Sequence, residues 1–193
     1  MCVAAIAAFF LLFSINASAQ NVNKFRKGDF ALSADFGMGN FHWDYSDGSG
    51  RFMGSFTLTG EYGILDNIIN ERGSISVGGQ VGYGWGDDDW KNGSIKCETN
   101  YHTLRIATRG TLHYQFIPQL DTYAGLTFGI VDINHVEVEN DNNEESYNDN
   151  NATFIMPAVF TGARYMFNRN FGVHSELTWN HFSFWTIGIT VKF

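Results

Sequence analysis

Five charged residues stand where a charge is expensive. Glu61, Arg105, Arg109, Arg164 and Glu176 each fall within a segment that otherwise alternates large apolar residues with Gly, Ser, Thr and Ala. All five share the parity of the small residues, not that of the apolar ones. Guanidiniums and carboxylates on one face form charge-assisted pairs, so Arg105, Arg109 and Arg164 are expected to pair with Glu61 and Glu176. Such a set suits two roles. It could line a narrow conduit and bias it toward anions. The plainer role is a structural polar core.

Other chemistry is thinner. Glu137, Glu139, Asp141, Glu144, Glu145 and Asp149 crowd one stretch, and Asp87-Asp88-Asp89 another. Carboxylates are Ca²⁺ donors, but neither stretch has the spacing and central Gly of an EF-hand loop. Both read as solvated surface loops. His42, His102, His113, His135, His174 and His181 lack metal-type spacing. Ser and His could serve a lipid-modifying site, yet no local signature supports one. No catalytic, metal or cofactor residue is assigned, and no cofactor is expected.

The elements that must position the five charges are strands, because the alternation has a period of two. Eight are predicted: 29–39, 54–64, 74–86, 101–116, 122–134, 153–167, 171–179 and 183–193. In the first, Phe30, Leu32, Ala34, Phe36 and Met38 oppose Ala31, Ser33, Asp35 and Gly37. In the third, Ile75, Val77, Val81, Tyr83 and Trp85 oppose Ser76, Gly78, Gln80, Gly82 and Gly84. No amphipathic helix is apparent. The connections 40–53, 87–100 and 135–152 are polar and long, whereas 117–121 and 168–170 are short; 65–73 is intermediate, and 180–182 is short on the side where length is expected. Long loops on one side and short turns on the other fit a transmembrane barrel.

Val3 to Phe13 is an unbroken apolar run followed by Ala17-Ser18-Ala19. It predicts a signal peptide over 1–19, cut before Gln20, although the usual Lys or Arg near the start is missing. A transmembrane helix is the other reading, but the run is shorter than the roughly 20 residues a span needs. The remaining residues, 20–193, form one domain. They keep a single cysteine, Cys97, so no internal disulfide is possible. A net charge of −8 argues against a nucleic-acid partner. An aromatic content of 16% excludes a disordered chain.

A soluble ligand-carrying barrel would alternate too, with its apolar face inward. The polar face here holds small residues and sparse charges instead of the Lys and Glu of a water-exposed surface. Aromatics gather at both ends of the apolar face: Tyr62, Tyr114, Phe116, Tyr165, Phe167 and Phe193 at one, Phe36, Tyr83, Trp85, Trp179 and Trp185 at the other. A bilayer selects such paired girdles. In lipid every backbone polar group must be paired within the protein, so the sheet must close. The expected fold is therefore an antiparallel up-and-down transmembrane β-barrel of about eight strands.

The chain ends Trp185-x-Ile187-x-Ile189-x-Val191-x-Phe193. This resembles the C-terminal strand by which outer-membrane barrels are recognised for assembly. Leu104-Arg105-Ile106-Ala107-Thr108-Arg109-Gly110, Asp121-Thr122-Tyr123-Ala124-Gly125 and Gly162-Ala163-Arg164-Tyr165-Met166-Phe167 resemble the small outer-membrane β-barrel family, the outer membrane protein beta-barrel domain. Its OmpX-like and OmpA-membrane-domain-like members are the broader relatives, and Bacteroidetes-type members the nearest. The resemblance spans about 29–193. It implies a bacterial outer-membrane location, with membrane lipid and the barrel-assembly machinery as partners. For function the loops speak instead: Trp43-Asp44-Tyr45, Asp87 to Trp90 and Glu137 to Asn151 mix aromatics and acids, which suits a non-enzymatic scaffold that meets a surface protein or glycan. The alternative is a narrow porin-like channel for small solutes or ions.

Overall fold

The computed structural model describes residues 24–39, 54–92, 95–141, 144–180 and 182–193, with the backbone alone at 87–92, 95–99, 101, 135–141 and 144–150. The predicted signal peptide and the segment 40–53 lie outside the described residues. Eight strands follow one another: β1 (Phe30–Met38), β2 (Gly54–Ile68), β3 (Gly73–Asn92), β4 (Ile95–Ile117), β5 (Leu120–Asp141), β6 (Glu144–Met166), β7 (Phe171–Trp179) and β8 (Trp185–Lys192). Each pairs antiparallel with its neighbours, and β8 closes on β1. Phe30 and Phe193 exchange both backbone hydrogen bonds at the seam, at 3.2 and 2.8 Å.

The faces divide as the alternation requires. Leu32, Leu58, Val81, Ile106, Leu126, Ile187 and Ile189 point outward, and Ile106 and Leu126 are more than 60% exposed. A continuous outward apolar band is tolerable only in lipid. Tyr62, Phe116, Tyr165, Phe167 and Phe193 border it at one rim, with Phe56, Tyr83, Trp85, Trp179 and Trp185 at the other. The short turns after β2, β4 and β6 share a side with both described ends, which makes that side the periplasmic one. β1 and β7, nine residues each, have the length a tilted strand needs to cross the hydrocarbon.

The sequence reading differs from the structure mostly on the outer side. The stretches 87–100 and 135–152, expected as loops, are strand. β3 to β6 run 20, 23, 22 and 23 residues and stay in register to their tips, with Asn92 opposite Ile95 and Asp141 opposite Glu144. Their polar composition removes the apolar alternation by which a strand is read from sequence, although the backbone still pairs. The two acidic stretches therefore lie on β3, β5 and β6.

Candidate functional site

The inward face is built from residues too small to fill it, and the charges fill the remaining space. Arg109 on β4 lies between Gly78 of β3 and Thr127 of β5, so a guanidinium can extend across the lumen. Glu61, only 1% exposed, accepts a hydrogen bond from Arg164 Nη2 at 2.7 Å and from Thr111 Oγ1 at 2.7 Å. Arg109 Nε stands 3.1 Å from the same carboxylate, and its Nη2 donates to Glu176 Oε2 at 2.9 Å. Arg109 thus bridges two carboxylates while its guanidinium lies 3.9 Å from the Phe160 ring centre, a desolvated cation–π contact. Glu61, Arg109, Arg164 and Glu176 are brought together. Arg105 is not within ion-pair distance of any carboxylate among the described residues. It donates from Nη2 to Thr127 Oγ1 at 2.6 Å and faces the Phe182 ring at 6.0 Å.

The network reaches further than parity indicates. Asp121, expected in a turn, is the second residue of β5, is buried and stands 3.5 Å from Arg164 Nη1. It also meets His113 Nδ1 at 2.9 Å, and His113 Nε2 meets Ser76 Oγ at 2.9 Å. Across the lumen, His174 joins Thr190 through Nδ1 at 2.9 Å and the Asp35 carboxylate through Nε2. Ser33 and Thr190 share a further hydrogen bond at 2.8 Å. Hydroxyl, imidazole and carboxylate in series is the connectivity of an activated nucleophile. Here Ser76 has no exposed surface and His113 has 1%. With no approach for a substrate carbonyl, the series is an internal hydrogen-bond chain.

Two aromatic rings stopper the mouths. On the periplasmic side Phe25 is 2% exposed and stacks on His113 with centroids 4.7 Å apart. The strap that carries it pairs with β2, Gly28 N donating to Gly63 O and Gly63 N to Asp29 O, both at 2.9 Å. Glycine is required at 63, because a Cβ there would lie 2.0 Å from the Arg26 carbonyl oxygen. Lys24 Nζ donates to Asn67 Oδ1 at 2.9 Å, and Lys192 Nζ pairs with Asp29 at 3.2 Å. At the outer mouth Asn180 Oδ1 accepts from the backbone N–H of Phe182 and of Ser183, both at 2.8 Å, and turns the Phe182 ring inward. That ring occupies the space a side chain at Gly82 would need. Neither stopper was legible as such. Phe25 precedes the first alternating segment, and Phe182 lies in a connection too short to show any pattern.

The outward residues of the last strand continue the apolar band. Trp185, Ile187 and Ile189 are exposed at 41–49%, Phe193 at 67%, and Val191 is half-buried. The family model of the outer membrane protein beta-barrel domain matches residues 5–184. The chain belongs to that family. Its place is accordingly the bacterial outer membrane, where its apolar band meets lipid. No curated protein matches the sequence. Among solved structures, the fold resembles Ail, the attachment invasion locus protein of Yersinia pestis, at TM-score 0.54 and 12% identity over 86% of this chain and 99% of that one. Ail in complex with sucrose octasulfate, a heparin analogue, gives 0.53 at the same identity and coverage. The N-terminal barrel domain of Pseudomonas aeruginosa OprF gives 0.49 and 16% over 86% and 98%. At these identities the likeness is one of fold.

Proposed function

We propose that this family member is a non-enzymatic membrane scaffold that meets other molecules outside the cell through an overhanging four-stranded sheet. The observation that carries this is the inequality of the strands. β7 and β8 end within nine residues, whereas β3 to β6 continue past the ring. Before Val159, where pairing with β7 ends, β6 pairs only with β5 among the described residues, so Glu144–Ala158 presents a strand edge. The bilayer does not need this surplus sheet, and ordering it costs conformational entropy. An edge of unpaired N–H and C=O groups is a site for strand addition by another chain.

Charge narrows the partner. The overhanging segments include Asp87-Asp88-Asp89 and the acids between 137 and 149, in a chain of net charge −8. Like charge repels a sulfated glycan of the kind bound to Ail. A protein with a basic face, or a neutral glycan, fits better. Excising residues 136–149, in which Val136 lies opposite Asp149, tests the reading. Cells carrying the shortened chain are expected to lose adhesion to protein-coated surfaces while the barrel still runs faster unboiled than boiled on a denaturing gel. Unchanged adhesion would sink the proposal.

The channel reading has less support. The lumen is crossed by the Glu61–Arg109–Glu176 and Glu61–Arg164 bridges and stoppered at both mouths. A barrel of about eight strands has room only for its own side chains. The reconstituted barrel is expected to be silent in a planar bilayer, and steady single-channel currents would restore the channel. For Ser76, a fluorophosphonate probe is expected to leave the native protein unlabelled; labelling would make it an enzyme. We propose also that Trp185, Ile187, Ile189, Val191 and Phe193 form the strand read by the assembly machinery. Phe193→Ser is expected to lower outer-membrane assembly several-fold, measured as the heat-modifiable fraction.

A further inference from the structure

Arg105 is 2% exposed, and among the described residues no carboxylate lies within ion-pair distance of it. One of its groups, Nη2, is satisfied by Thr127. Its Nε–H has no hydrogen-bond partner, and neither does the side-chain carbonyl oxygen of Gln80. Both residues line one small cavity of about 20 Å³ in the outer half of the lumen, together with Asp35, Glu176, Thr57 and Thr178. An unmade bond at a buried polar group costs more than the bond would contribute, and here a buried donor and a buried acceptor face the same space.

We propose that one water molecule is bound at this place, accepting from Arg105 Nε–H and donating to Gln80 Oε1, and that it bridges Arg105 to the rest of the polar core. The volume fits, since a single water needs roughly 10–15 Å³ of such space. The polarity selects water over an ion. An anion would stand beside the Asp35 and Glu176 carboxylates, and a metal cation beside two guanidiniums, Arg105 and Arg109. Only a neutral molecule that both donates and accepts meets the Nε–H and the carbonyl oxygen at once. The carboxylates of Asp35 and Glu176 offer its second hydrogen a further acceptor. Phe182, whose ring lies 6.0 Å from the Arg105 guanidinium, also lines the cavity and narrows the access of bulk solvent to it.

The test uses the whole barrel refolded in detergent micelles with nitrogen-labelled arginine. A cross-peak is expected between the Arg105 Nε–H and water, with the sign that marks a molecule held far longer than surface water. Arg164 supplies the control. Its Nε is also buried without a partner, but it does not line the cavity, so no such peak is expected there. Gln80→Leu removes the acceptor and should abolish the Arg105 peak while leaving the amide spectrum of a folded barrel. Phe182→Ala should turn the long-lived peak into one of rapid exchange. Exchanging chloride for nitrate or sulfate should leave the Arg105 Nε–H resonance unmoved. No peak at Arg105 in the folded wild type would overturn the proposal. So would a resonance that follows the identity of the anion, which would make the occupant an ion.

Discussion

Glu61→Leu is expected to destabilise the barrel by roughly 3–5 kcal/mol, the usual effect of removing one partner from a buried ion pair. The substitution puts an apolar side chain of similar length in its place and removes the carboxylate that, among the described residues, Arg109 and Arg164 share, at 3.1 and 2.7 Å. Arg109 keeps Glu176 at 2.9 Å, but Arg164 is left with Asp121 at 3.5 Å. Thr111 also loses the acceptor for its hydroxyl. The penalty is therefore mostly that of a guanidinium left under-compensated where it is only 3% exposed. It should appear as a lower denaturant midpoint in lipid vesicles and as loss of the fast unboiled gel band at a lower temperature. Combining Glu61→Leu with Arg164→Leu should cost less than the two single changes added, because the pair is removed together. A Glu61→Leu barrel with the wild-type midpoint would mean that the internal bridges contribute nothing to stability.

What the sequence discloses follows burial. Where one face meets lipid and the other a packed lumen, as in 30–38 or 171–179, the contrast recurs at every second residue and the strand is legible almost to its ends. It also shows which charges face inward, since Glu61, Arg105, Arg109, Arg164 and Glu176 sit on the small-residue parity. Partnership is a different matter. Pairing depends on register between strands far apart in the chain, and Arg164 reaches Glu61 across 103 positions. Nothing local distinguishes Arg105, which finds Thr127 and an aromatic ring, from Arg109, which finds two carboxylates. Asp121 shows why turns mislead. Shortly after Pro118 and Gln119 it reads as a turn residue, yet it lies among the first residues of β5 and holds both His113 and Arg164. The overhang is hidden for another reason, because segments as polar as 87–100 and 135–152 carry no apolar alternation to read.

Phe25→Ala is expected to release the strap that closes the periplasmic mouth, with a loss of about 3 kcal/mol in its docking, at the lower end of the range for a buried phenylalanine. The strap is a short segment with few other anchors, so the loss should show as local opening, with the barrel as a whole still folded. The amide of Gly28, bonded to Gly63 O, and that of Gly63, bonded to Asp29 O, report it directly. Their hydrogen exchange should rise about 100-fold, the equivalent of that free energy. Gly63→Val reaches the same state from the other side. Its Cβ would meet the Arg26 carbonyl oxygen, which is backbone and cannot rotate away, so the strap must leave even with Phe25 intact. The two substitutions break one docked arrangement, and the double variant should therefore exchange no faster than either single one. Protected Gly28 and Gly63 amides in Phe25→Ala would mean that Lys24 on Asn67 and Lys192 on Asp29 hold the strap by themselves. The ring over His113 would then be filling space without fastening anything.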